Sequence, residues 1–131
     1  MQSKEDTAKL CFLKSLLEYP DIAGMVGKYI HPSMLGEYQS HYDVVCQNDK
    51  EHELSRMLSL REDIKIIDKD EMRKSIRDFL ISFYEERLKS ITNDKNISTG
   101  TKILQIRKLK ADILPRLKKG ELIEHESIGI I

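Results

Sequence analysis

Four histidines, two cysteines and one pair of adjacent glutamates are the side chains of this chain best suited to turn over a substrate or hold a metal. Their spacing supports neither. His41 and His52 are not at metal-ligand spacing, His125 stands far from both, and no His-Glu-x-x-His occurs. His31 precedes Pro32 at a helix end, where capping or packing is the expected role. On a helix Glu85 and Glu86 point about 100° apart and cannot form a carboxylate dyad. Cys11 and Cys46 fall on apolar faces, whereas a nucleophilic thiolate needs an exposed, electropositive setting. They share no metal-like spacing, so buried free thiols in a reducing cytosol are expected rather than a disulfide. Gly24 and Gly27 follow no strand and lack the rest of any phosphate-binding fingerprint. The chain reads as a non-enzyme with no catalytic, cofactor or metal site.

The elements that would position any other function are helical. With 131 residues, 40% hydrophobic and 34% charged, few Gly and Pro and no Trp, the composition is that of a mostly helical protein large enough for one real core. No run of 18 apolar residues could span a membrane, and no leader resembles a signal peptide, so a cytoplasmic protein is expected. The zero net charge conceals an asymmetry: residues 1–70 carry nine basic and thirteen acidic side chains, and residues 71–131 thirteen and nine. Residues 95–119 hold eight basic side chains against Asp112 alone. No aromatic residue interleaves them, so they point to a solvated face or an acidic protein partner rather than to nucleic acid.

The central stretch runs from Glu71 to Thr92. Met72, Ile76, Phe79, Leu80, Phe83, Tyr84, Leu88 and Ile91 form one stripe of period 3.6, with Asp68 or Asp70 as cap. Ahead of it, four shorter helices are predicted. The first spans Lys4 to Tyr19 and is central to a bundle. The second starts at Pro20 with Asp21 as cap and runs to Ile30. The third is capped by Ser33 and reaches Asn48. The fourth spans Lys50 to Ser59, with Leu54, Met57 and Leu58 inward. Residues 60–69 suit a short helical turn or an extended connector. After a polar loop, Thr101 to Lys119 forms the last helix, with Ile103, Ile106, Leu109, Ile113 and Leu117 as its stripe. Gly120 stops it, and Pro115 should bend it or end it a turn early. The tail after Gly120 carries five apolar residues that a disordered segment would not need.

The expected fold is therefore all-α. A compact bundle of short helices (1–80) is followed by a C-terminal helical hairpin and tail (81–131), the two parts sharing the long helix 71–92. Met72 to Phe79 should belong to the bundle, and Tyr84 to Ile91 should pair with Ile103 to Leu117. An isolated hairpin buries little, so these stripes either fold back onto the bundle or dock on a partner.

From Ala8 the chain reads Ala-Lys-Leu-Cys-Phe-Leu-Lys-Ser-Leu-Leu-Glu-Tyr-Pro-Asp-Ile-Ala, then a second helix and His-Pro-Ser-Met-Leu. From Phe83 it reads Phe-Tyr-Glu-Glu-Arg-Leu-Lys-Ser-Ile-Thr, then a polar loop and Ile103 to Leu117. This order of signals resembles the C-terminal helicase-binding domain of bacterial primases (the DnaG family), over nearly the whole sequence and through pattern rather than invariant motifs. The resemblance implies a bundle that stimulates the replicative helicase and a hairpin that anchors to the helicase's N-terminal region, coupling primer synthesis to unwinding. It places the anchor on Ile103, Ile106, Leu109, Ile113 and Leu117, with Arg107 and Lys110 as steering charges. It also implies a non-catalytic, monomeric module without cofactor or membrane contact, the C-terminal part of a longer primer-synthesising enzyme. The same fold is similar to the N-terminal domain of the replicative helicase (DnaB type), which shares the Leu16-Leu17-x-x-Pro20 helix end. That domain, or a generic helical adaptor, is the alternative. Pro115 and the tail after Gly120 depart from the primase pattern.

Overall fold

The structure, a computed structural model, describes residues 4–129, with side chains from residue 6 onward. Among the described residues there are helices and turns and no strand. Helix α1 (Lys4–Glu18) packs against α2 (Pro20–Val26), α3 (Gln39–Cys46) and α4 (Glu53–Leu60), the central place its broad apolar face predicts. Leu13 and Leu16 are fully buried.

Local chemistry moved several boundaries. Helix α2 begins with Pro20 itself, whose fixed φ and missing N–H suit the first helical position. Tyr19 occupies the cap position without a side-chain bond, so Asp21 is not the cap; it sits in the first turn and pairs with Lys69 at 2.9 Å. The helix stops at Val26, four residues short of expectation, with Gly27 at its end. The predicted Ser33–Asn48 helix is two pieces. A 3₁₀ segment (Pro32–Tyr38) is capped by His31, whose Nδ1 accepts the Ser33 N–H at 3.1 Å. Gly36, at φ 55°, turns the chain, and α3 starts afterwards. His52 caps α4 the same way, accepting the Leu54 N–H at 3.1 Å. Accepting at Nδ1 requires the neutral ring with its proton on Nε2.

Residues 61–68 form an extended connector whose backbone is satisfied by α1 side chains instead of a partner strand. Lys14 Nζ donates to the carbonyls of Arg61 (2.6 Å) and Ile64 (3.0 Å). Ser15 Oγ accepts the Ile67 N–H at 2.7 Å, and the Tyr19 hydroxyl donates to the Ile67 carbonyl at 2.8 Å. These bonds fix where the next helix leaves the bundle.

That helix, α5 (Lys69–Asn93), is unbroken for 25 residues, about 38 Å at 1.5 Å per residue, and Asp68 caps it. Met72, Ile76, Leu80, Tyr84 and Ile91 are buried along one side. The chain then returns antiparallel as one rod: α6 (Thr99–Arg107, capped by Ser98), a π turn (Lys108–Ile113) and α7 (Leu114–Lys118). Pro115 neither bends the rod sharply nor ends it. The π turn just ahead, with the Leu114 N–H bonded to the Leu109 carbonyl, relieves the clash that the proline ring makes in a regular helix. The rod pairs with the whole of α5 rather than with its second half alone: α7 lies beside the first half, and Arg73 Nη2 reaches the Gly120 carbonyl at 3.4 Å. A rod of about 30 Å leaves no room for a shorter pairing. Phe79 still meets the bundle, stacked on Phe12 with centroids 6.3 Å apart. Beyond Gly120 the tail folds back, burying Ile123 and, in the short helix α8 (His125–Ile128), Ile128. Ile130 and Ile131 lie outside the described residues.

Candidate interaction surface

The α6–α7 rod has two faces, and the residues expected to contact a partner divide between them. Leu109, Ile113 and Leu117 are buried in the common core. At roughly 1.5–3 kcal/mol each they hold the hairpin together. Ile106 is half-buried at the border. Ile103, Arg107 and Lys110 are exposed. With Leu104 they form a row at helical spacings of three and four on the side away from the core. Ile103 is 50% and Leu104 66% exposed, two of the five large apolar side chains so open to solvent among the described residues. Leu104 is hidden from a reading of periodicity because it lies beside the buried stripe. A leucine on the charged side of an otherwise basic helix is the available signal.

Electrostatically this face is free to act. Arg116 is engaged by Glu121 at 2.6 Å and Asp112 at 3.4 Å, and this guanidinium holds the Glu121 carboxyl below its ordinary range. Among the described residues neither Arg107 nor Lys110 takes part in an ion pair. Apolar side chains flanked by unpaired cations fit a surface that offers an apolar groove with carboxylates at its rim.

Two other features stand apart. A cleft of about 480 Å³ lies between α1 and α5, walled by Cys11, Phe12, Met34, Phe79 and Phe83. On the bundle, Met57, Leu60 and Ile66 are exposed. Met57 was expected inward, but α4 is only eight residues long and presents one face, which Leu58 occupies. Among the described residues no group of three or more His, Cys, Asp or Glu side chains could hold a metal ion. Both cysteines are free and half-buried, and burial pushes the Cys46 thiol up, away from thiolate. No helix among the described residues is long and apolar enough to cross a membrane.

Comparison with known proteins bears on this arrangement. None of the curated proteins matches the chain by sequence. Among solved structures, the chain is similar to the crystal structure of the Helicobacter pylori DnaG primase C-terminal domain. The two superpose with a TM-score of 0.81 at 20% identity, over 94% of this chain and 98% of that one. At that identity the likeness shows the shared all-α fold. The model of the DnaG-primase C-terminal, helicase-binding domain matches residues 6–124, from the start of α1 to the edge of α8. That match does not favour the helicase N-terminal domain or a generic adaptor. It takes in bundle, connector and hairpin together, and the chain belongs to the family of DnaG-primase C-terminal, helicase-binding domains.

Proposed function

We propose that this domain binds the N-terminal region of a replicative helicase of the DnaB type through the outer face of α6, and so couples primer synthesis to unwinding. The observation that carries the proposal is the row Ile103, Leu104, Arg107 and Lys110: two solvent-exposed aliphatic side chains beside two cations that make no ion pair among the described residues, on a hairpin whose other large apolar residues are buried or half-buried. In this reading the hairpin is the anchor and the bundle is the part that acts on the helicase, with α5 shared between them. The domain itself has no catalytic role and needs no cofactor or metal. It works as a cytoplasmic monomer appended to an enzyme that makes primers. Leu109, Ile113 and Leu117 serve the anchor indirectly, by holding the presented face rigid.

Calorimetric titration of the helicase N-terminal domain tests the proposal. Leu104→Asp should weaken binding by about 2 kcal/mol, roughly thirtyfold, while leaving the melting temperature near that of the parent. Leu60→Asp, on the bundle patch, should leave affinity unchanged. Parent-like affinity in Leu104→Asp would remove α6 from the interface.

A further inference from the structure

The tail after Gly120 is bonded to both parts of the molecule. On the bundle side, the His125 N–H donates to the Lys28 carbonyl at 3.0 Å, and His125 Nε2 lies 2.9 Å from the Gly27 carbonyl. Both acceptors belong to the end of α2, where helical carbonyls run out of internal donors. The His125 ring also meets His31 edge to face, centroids 5.1 Å apart. On the hairpin side, Lys108 Nζ donates to the Ile128 carbonyl at 2.6 Å and reaches the Ser127 carbonyl at 3.4 Å, capping the far end of α8. Ile123 and Ile128, on either side of His125, are 4% and 1% exposed. A helix of four residues has no stability of its own, so its order comes from these contacts.

We infer that residues 121–128 are a strap that fixes the orientation of the hairpin on the bundle. Further joints between the two parts are the connector bonded to α1, the Lys69–Asp21 pair and the Phe12–Phe79 stack. Beside that stack the cleft between α1 and α5 stays open. Those joints set where α5 leaves the bundle. The strap sets its angle by tying the middle of the returning rod to the end of α2. His125, Ser127 and Ile128 lie past residue 124, the last that the family model matches.

Residual dipolar couplings test this on the full chain and on the chain ended after Glu124. In the full chain one alignment tensor should fit the amides of α1–α4 and of α5–α7 together. In the shortened chain the helices should keep their slow amide exchange while the common tensor is lost and each part requires its own. A common tensor in a folded shortened chain overturns the inference. Should that chain fail to fold, the double substitution Lys108→Met with His125→Ala, which keeps Ile123 and Ile128, decides. Loss of the common tensor supports the strap, and its retention overturns it.

Discussion

At the scale of single residues, the polar atoms inside this molecule are the most informative. Ser15 falls in the apolar stripe of α1 and is fully buried, yet its hydroxyl donates to the Cys11 carbonyl at 2.6 Å while accepting the Ile67 N–H at 2.7 Å. Periodicity places this serine on the inward face of α1, and the fold uses it there to seat the connector. Tyr42 and Tyr84 make a sharper pair. Both rings are buried, but the Tyr42 hydroxyl donates to the Ile30 carbonyl at 2.7 Å, whereas that of Tyr84 has no partner among the described residues. Tyr42→Phe is therefore expected to lose about 1 kcal/mol in urea unfolding at neutral pH, and Tyr84→Phe to gain about as much, because an unsatisfied buried hydroxyl is removed. Burial pushes the Tyr84 hydroxyl from 10.0 up to about 12. The folded state thus keeps its proton longer than the unfolded chain does. The stability this provides is intact below pH 10 and is lost as pH rises through 12, so across that window the parent should lose more than Tyr84→Phe, which keeps only the part due to Tyr42 and Tyr38, also pushed up by burial. A Tyr84→Phe variant less stable than Tyr42→Phe would show that the hydroxyl is satisfied.

At the scale of elements, what the sequence revealed depended on length. The long helix and its return partner followed from periodicity, because a stripe sustained for many turns outweighs any single residue, and the Asp68 cap followed from residue type. The short elements did not follow. Helix α2 ended where Gly27 and the returning tail made ending inexpensive, and the third helix split at Gly36, whose positive φ no pattern of apolar spacing announces. The connector's backbone partners are side chains some fifty positions away, as in Lys14 to Ile64, and no local rule reaches that far. The candidate face was half legible. The spacing gave the helix and its charges, but which apolar residues point outward depended on the rotation of α6 against α5. Two glycines test the element scale together. Gly120 ends the rod at φ 101°, and a Cβ there would lie 3.4 Å from Arg77 Nη1, so Gly120→Ala should cost about 1–2 kcal/mol. Gly100 lies in the first turn of α6, where an added methyl would meet nothing within 4 Å, and Gly100→Ala should raise stability by about 0.5–1 kcal/mol. Thermal unfolding of the two variants should move in opposite directions. Equal shifts would mean that φ at Gly120 does not govern the stop.

At the scale of the whole molecule, one apolar cluster among the described residues takes in bundle, connector, hairpin and tail. Charge is arranged along the chain unevenly. The first seventy residues carry a net −4 and the remainder +4, and the basic excess is concentrated in the returning rod. Under the proposed function this should separate the two stages of docking. Exposed cations act on encounter over about a Debye length, some 8 Å at physiological salt, whereas apolar side chains act only after contact. In stopped-flow mixing with the helicase N-terminal domain, the association rate should fall as salt rises, and Arg107→Gln with Lys110→Gln should lower it at low salt and flatten its salt dependence, leaving dissociation nearly unchanged. Leu104→Asp should do the reverse in its main effect, speeding dissociation severalfold. If the double charge variant kept the parent's salt slope, the steering field would have to come from elsewhere on the basic half of the chain, and Arg107 and Lys110 would be no more than solvated surface.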